Sequence, residues 1–487
     1  MKKTNDIKSA AYINILSRYF AAFVQLCYSV ILARILTPED FGLVAIAQIF
    51  VTFFNLFADM GLGSAVVQRH DLSTLDIERL FGFSILLAFA LAVLFGFAGL
   101  PISIVFEQNL LFGICCCLSA TVFFSTLNTV PNALMMKQKR FIEVGLRQII
   151  STVISSAIAL VFAFLGAGYW SIVIFSTFNS LFIFSWNYFS IVLIPRFREI
   201  GLSLSKVFSY SAYLLGFNVI NYFSRNLDNL LIGYFFGTAN LGNYTKAYQL
   251  MTMPQTYLTS VVTPVLHPIL SESQTDVDYI YSVYIKTVKI LSLLGVFISV
   301  FCFFAASELI ILLYGDQWVI AVPCFRLLCI SVWSQMVCGT SGTMFQVLNK
   351  TKEHFVRGIV VASVVLSAVF FGVWMGSVEY VAASVGVAYY VAFFLLGPFL
   401  IKRSFNKSIV EFFKTFIPDI AIALLLIVLN LLLNSFLPGD MVISLLVRLF
   451  VNLVAYLIFV IIFRQFRWLC IALPSGFSSK LPKFIRG

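Results

Sequence analysis

Residues Leu32 to Ala47 read LARILTPEDFGLVAIA, and 200 positions later residues Ile232 to Ala247 read IGYFFGTANLGNYTKA. On that offset Ala33 falls on Gly233, Thr37-Pro38-Glu39-Asp40-Phe41-Gly42 on Gly237-Thr238-Ala239-Asn240-Leu241-Gly242, and Ala47 on Ala247. Identity is sparse, but polar placement repeats. Asn14, Arg18, Gln25 and Ser29 precede the first motif; Asn218, Asn221, Arg225, Asp228 and Asn229 precede the second. At about 100° per residue the first set falls within a sector of about 60° and the second within about 100°. After the motifs, Gln48, Thr52, Asn55 and Asp59 line one face, and Tyr248, Thr252, Gln255 and Thr259 line the equivalent one. Ser9 to Arg69 and Ser209 to Leu270 therefore read as one polar-striped hairpin written twice, which predicts two half-molecules facing a wet cavity.

The rest of the chain says where such hairpins sit. Of 487 residues, 61% are hydrophobic and 11% charged, against about 25% charged in soluble domains. The mean hydropathy is +0.98. This is the composition of an all-α integral membrane protein, and no cleavable leader pattern interrupts the first apolar stretch. The nine cysteines, Cys115-Cys116-Cys117 among them, lack metal-site spacing and read as small apolar residues. The three histidines, His70, His267 and His354, are far apart, so no metal site and no catalytic triad is expected.

Windows of about 20 apolar residues place fourteen transmembrane helices at 12–36, 42–67, 80–106, 110–134, 145–165, 169–194, 209–236, 242–268, 287–313, 320–347, 357–376, 380–401, 413–436 and 442–463. One side holds 26 of the 32 basic residues, among them Lys137, Lys139, Arg140, Arg147, Lys286, Lys289, Lys402 and Arg403. The other keeps Arg34 and Lys246, at helix ends. By the positive-inside rule both termini are cytoplasmic. The net charge of +11 is then topology and anionic-lipid attraction, not a nucleic-acid footprint. The expected organisation is a six-helix lobe over 1–195, a cytoplasmic linker over 196–208 that reads equally as a loop or an amphipathic helix, and a second six-helix lobe over 209–401. Two extra helices over 402–463 and a basic tail over 464–487 complete it. An even number of spans per copy puts the pseudo-twofold along the membrane normal.

No loop is long enough to hold a catalytic domain, and no phosphate-binding lysine motif is present, which argues against pumps driven by nucleotide hydrolysis. Leu32–Ala47, Phe57–Arg69 (FADMGLGSAVVQR), Leu227–Leu250 (LDNLLIGYFFGTANLGNYTKAYQL) and Leu313–Leu328 (LYGDQWVIAVPCFRLL) together resemble the Wzx-type polysaccharide flippases, in particular the colanic-acid-like exopolysaccharide exporters. These belong to the MOP exporter superfamily with the MATE drug exporters and the lipid II flippases. The resemblance spans nearly the whole chain. It implies two six-helix lobes, alternating access, a bacterial inner-membrane location and an undecaprenyl-diphosphate-linked oligosaccharide as cargo. A coupling ion, H+ or Na+, and a glycan polymerase with its chain-length regulator are the partners it implies besides lipid. Asn240 stands where the first copy has Asp40, a departure from chemical symmetry.

Four basic residues remain inside the spans: Arg18, Arg225, Arg326 and Arg448. A charge at mid-span costs about 2.5–3.5 kcal/mol on insertion scales, while each Leu, Ile, Phe or Val returns about 0.3–0.6. Arg225 lies deepest; the other three are within reach of a helix end by snorkelling. A guanidinium pairs bidentately with phosphate oxygens and stays charged. Arg18, Gln25, Asn218, Asn221, Arg225, Arg326 and Arg448 are therefore the candidate cavity residues. Asp59 and Asp228 are candidates either for coupling or for ion pairs, with Arg18 and Arg225 respectively. Two further classes stay open on the residues alone. One is a cation-coupled exporter of small molecules, which four intramembrane arginines disfavour for cationic cargo. The other is a membrane glycan polymerase or glycosyltransferase, which the short outer loops disfavour.

Overall fold

In a computed structural model the chain is helical, with no strand among the described residues. The structure describes residues 2–59, 61–69, 71–201, 218–219, 222–223, 225–271, 276–348 and 350–468, and of these the side chains of all but 2–16, 18, 259–271, 346 and 351. Among the described residues ten helices are long and apolar enough to cross a membrane, eleven if the bent pair Ala321–Cys329 and Val332–Phe345 is one span. The expected span 209–236 falls partly outside the described residues, and spans 12–36 and 242–268 include residues whose side chains are not described. The chain divides into two compact units, Met1–Gly242 and Asn243–Gly487.

The first unit contains α1 (Lys2–Ile35), α2 (Pro38–Asp59), α3 (Leu62–Gln68), α4 (Thr74–Val105), α5 (Leu110–Leu127), α6 (Thr129–Lys137), α7 (Phe141–Phe164), α8 (Trp170–Ser190), α9 (225–236) and the start of α10 (Thr238–Ser271). α4 packs along α5, α1 along α7, and α8 against both α5 and α7. Where α4 crosses α5, a Cβ on Gly99 would come within 2.8 Å of Cys115 Cβ, so small residues set the approach, as is usual between helices in lipid. Outward side chains such as Phe97, Ile104 and Phe164 are exposed, which suits a hydrocarbon solvent. Arg196 at the end of this run is tied back to α4 by an Nε contact of 2.6 Å to Glu78, and Arg79 pairs with Glu199. The linker beyond Gly201 lies outside the described residues.

The two copies of the six-residue motif meet inside this unit. At the first, Thr37 N and Oγ1 donate to Asp40 Oδ2 at 3.0 and 2.9 Å, and Asp40 N donates back to Thr37 Oγ1 at 3.2 Å. That is a capping box on α2. At the second, Gly237 takes the φ of 82° that ends α9, and Asn240 Nδ2 donates to Phe236 O at 2.9 Å. The Asp40 carboxylate thus accepts from the Thr37 N–H, whereas Asn240 donates to an orphan carbonyl, a task for which an ionised carboxylate has no donor. A Cβ on Gly42 would lie 1.8 Å from Thr238 O, and one on Gly242 would lie 1.9 Å from Pro38 O. Each motif needs its glycine because the other motif's backbone passes there.

The second unit is built on α11 (Val277–Phe304), followed by α12 (Ala306–Tyr314), α13 (Ala321–Cys329), α14 (Val332–Gly339), α15 (Ser341–Val347), α16 (Thr351–Trp374), α17 (Val378–Phe405), α18 (Ile409–Lys414), α19 (Ile417–Leu433) and α20 (Met441–Ile462). α11 packs against α13, α14, α19 and α20. Its aromatic core centres on Trp333, stacked on Tyr390 at 5.8 Å and edge-on to Phe393 and Phe416. Two helix starts correct the sequence reading. α11 begins at Val277, ten residues before the expected 287, and α7 begins at Phe141, not 145. Lys286, counted above with the cytoplasmic basic residues, therefore lies within a helix, as do Lys289 and Arg147. Hydropathy windows end where charges begin, whether or not the helix does.

Candidate functional site

Three polar centres are built into these bundles. The first arises where α2 and α5 both break. Gly61, with φ 75°, turns the chain from α2 into α3, and α5 gives way to α6 at Asn128. The breaks lie side by side and open a pocket of about 540 Å³ lined by Asp59, Ser64, Gln68, Ser125, Asn128 and Asn132 among others. Behind its wall Arg147 of α7 is only 5% exposed. Its Nη1 donates to Asn132 Oδ1 at 3.2 Å and to Asn187 Oδ1, and Asn187 Nδ2 donates to Asn128 Oδ1 at 2.6 Å. Arg147 forms no ion pair with a carboxylate among the described residues. Asp59 is exposed to the pocket and accepts from Gly63 N at 3.3 Å. At the same end Arg69 donates to Asp71 from Nε and Nη2 at 3.0 and 2.7 Å, and that hydrogen bond, with the charge of Asp71, holds the guanidinium above its ordinary pKa. Sequence reasoning missed Arg147 as a buried group. The available signal was the run Arg147, Ser151, Thr152, Ser155, Ser156 at helical spacing, every member of which is buried.

The second centre joins two of the arginines singled out in the sequence. Arg326 and Arg448 line one pocket of about 350 Å³ with Phe303, Ser307, Glu308 and Ser444. Arg448, 4% exposed, donates to Glu308 Oε1 from Nε and Nη2 at 3.3 and 3.2 Å, to Asn430 Oδ1 at 3.2 Å and to Asn434 Oδ1 at 2.9 Å. Its charge is compensated in place. Arg326 is exposed, with its Nη2 3.4 Å from Ser307 Oγ and its guanidinium 5.9 Å from the Phe303 ring centroid. It forms no ion pair among the described residues.

The third centre went unrecognised in the sequence. Lys289 and Asp419 are both fully buried, with Lys289 Nζ 2.6 Å from Asp419 Oδ1 and 2.6 Å from Thr415 O. Ser292 Oγ donates to Asp419 Oδ2, and Trp333 Nε1 donates to Ser292 Oγ at 2.9 Å. Every oxygen of the carboxylate is engaged, which is what a buried ion pair requires to offset its desolvation.

The remaining expected residues are not gathered into one of these centres. Gln25 is exposed on α1, and Asn218 is half-buried. Arg225 is exposed and makes no ion pair among the described residues, while Asp228 is buried and accepts from Asn229 N and Nδ2 at 2.8 and 3.2 Å. The expected Arg225–Asp228 pair is thus not formed here. The side chains of Arg18 and Asn221 lie outside the described residues, and so does any pairing of Arg18 with Asp59.

A bundle of membrane-length helices with buried polar centres and no large loop among the described residues defines a multi-pass membrane protein of the transporter kind. The chain belongs to the family described as polysaccharide biosynthesis protein, whose model matches residues 31–323. Among curated relatives it is 22% identical to the teichuronic acid biosynthesis protein TuaB of Bacillus subtilis, over 85% of this chain and 86% of that one. It is 25% identical to the succinoglycan biosynthesis transport protein ExoT of Rhizobium meliloti, over 71% and 70%, and 21% identical to the lipopolysaccharide biosynthesis protein WzxC of Escherichia coli, over 62% and 61%. Its fold is similar to that of the lipid II flippase MurJ in an inward closed conformation, with a TM-score of 0.73 and 15% identity over 93% of this chain and 99% of that one. An inward-facing MATE family multidrug resistance transporter of the MOP superfamily is also similar, with a TM-score of 0.60 and 17% identity over 79% and 95%. The chain thus has the MOP fold.

Proposed function

We propose that this protein is a flippase that carries undecaprenyl-diphosphate-linked oligosaccharide repeat units across the bacterial inner membrane for exopolysaccharide or O-antigen assembly. The observation that carries this reading is the fold of a lipid II flippase over 93% of a chain that belongs to a polysaccharide biosynthesis family. The cargo has a polar head and a prenyl tail. The head needs a hydrated, hydrogen-bonding path, because polar groups moved into hydrocarbon unpaired cost several kcal/mol each; the tail needs only lipid. No covalent bond is made or broken. In this reading both termini are cytoplasmic, and the polar pocket of the first unit, at the end carrying Lys137, Lys139 and Arg140, opens to the loading side. Transport is by alternating access. Asp59 and Asp228 are the candidates for coupling to H+ or Na+ or for ion pairing, and Arg18, Gln25, Asn218, Asn221, Arg225, Arg326 and Arg448 are the candidate path residues. A glycan polymerase and its chain-length regulator receive the product.

Deletion of the gene tests the reading. Lipid-linked repeat units should accumulate on the cytoplasmic side and surface glycan should fall, with both restored by the wild-type gene. The MATE likeness makes a small-molecule exporter the competing reading. Unchanged surface glycan with altered drug sensitivity would establish that one instead.

A further inference from the structure

The pocket at the α2–α3 and α5–α6 breaks has a feature that transport alone does not require. A guanidinium only donates hydrogen bonds. The two amides that Arg147 holds, Asn132 and Asn187, must therefore turn their oxygens toward it, as they do. Asn187 is then left with only its nitrogen to offer, and Asn128 must receive it with an oxygen. The orientation propagates to the pocket wall. Asn132 and Asn128, both half-buried and both lining the pocket, present their Nδ2 groups away from the relay, and neither nitrogen has a protein partner among the described residues. Asp59 brings acceptor oxygens to the same pocket.

We propose that this pocket is a glycan-reading subsite, in which Asn128 and Asn132 donate to sugar oxygens, Asp59 accepts from sugar hydroxyls, and Arg147 is a positioning residue that fixes the amide orientation. The proposal rests on the flippase reading above and names the part of the cargo read here. Asp59 is the one ionisable residue among the described residues of the pocket lining, with Arg147 behind the wall, so a phosphate would meet the Asp59 carboxylate with no cation beside it in the lining. A polyhydroxylated sugar matches both donors and acceptor. The apolar lining from Val67, Ala133 and Met136 suits the C–H faces of a sugar ring. A volume of about 540 Å³ lies within the usual range for small-molecule sites.

Binding to the full-length protein in lipid nanodiscs tests this with two probes, the host's undecaprenyl-diphosphate-linked repeat unit and undecaprenyl diphosphate without sugar. Asn132→Asp keeps an acceptor for Arg147 and removes the outward donor; Asn128→Asp does the same one step along the relay. Each should weaken repeat-unit binding by about fivefold, the worth of one hydrogen bond, leave the sugarless lipid unchanged, and keep the thermal midpoint. Arg147→Met, which removes the donors that hold both amide oxygens, should lower the same selectivity ratio. Variants that bind the repeat unit like wild type, or that lose both lipids equally, would overturn the subsite. Wild type binding neither lipid would sink the flippase reading itself, and this proposal with it.

Discussion

Asp419 and Lys289 are each tolerable in the membrane only because of the other. Removing one partner of a buried pair leaves an uncompensated charge and costs about 3–5 kcal/mol, whereas replacing both with apolar residues is often neutral. Lys289→Met and Asp419→Leu should each lower the thermal midpoint of the detergent-solubilised protein sharply, and the double variant should recover most of the loss. Equal losses in single and double variants would show that the pair carries no mutual stabilisation. Lys289 was counted with the cytoplasmic basic residues because a hydropathy window cannot tell a charge that ends a span from one that is neutralised by a partner 130 positions away. Arg147 was counted with them too, although its partners are the amides of Asn132 and Asn187 and not a charge. Arg448 was legible as an intramembrane charge, but its compensation by Glu308, Asn430 and Asn434 depends on three elements meeting, which no local pattern records.

Element ends were less legible than elements. Against fourteen expected spans, ten described helices, or eleven with the bent pair, are long and apolar enough to cross a membrane, and α11 extends ten residues before its window, where Asp276 caps it by accepting from Tyr279 N at 2.9 Å. The duplicated motif was visible as a repeat, but its reason was not. Alanine at Gly42 or at Gly242 would drive a Cβ into a backbone carbonyl at under 2 Å, a contact that backbone cannot relieve without moving a helix start. Both substitutions should lower the thermal midpoint and transport. Gly96 of α4 is the control, since a Cβ there meets nothing within 4 Å. Gly96→Ala should be neutral or stabilising by up to about 1 kcal/mol, the helix-propensity difference. Matching losses at all three glycines would point to helix propensity or insertion, not to the crossing.

For the molecule as a whole, composition, basic-residue asymmetry and repeat spacing were enough to reach the fold class, because lipid leaves so few ways to satisfy a backbone. The division of labour within it was not legible. The helices beyond 402 read as an addition outside the duplication, yet Phe412, Phe416, Ile422, Leu426, Tyr456 and Val460 belong to the core cluster of the second unit. Truncation after Phe405 should therefore abolish accumulation of the protein, as judged by immunoblot of membranes. A truncated chain that accumulates and transports normally would contradict that integration.

The Lys289–Asp419 pair also bears on synthesis. The ribosome makes α11 long before α19, and at about 5–20 residues per second the lysine precedes its carboxylate by on the order of ten seconds. Glu308 precedes Arg448, 140 positions later, by a similar interval. During that time α11 and α12 must be held at the insertion machinery or in the bilayer with their charges unmatched. Their apolar neighbours have to outweigh an insertion cost of about 2.5–3.5 kcal/mol for the lysine. α19 and α20 are thus the helices that complete the electrostatics of α11 and α12, and assembly of the second unit cannot finish until α20 has left the ribosome.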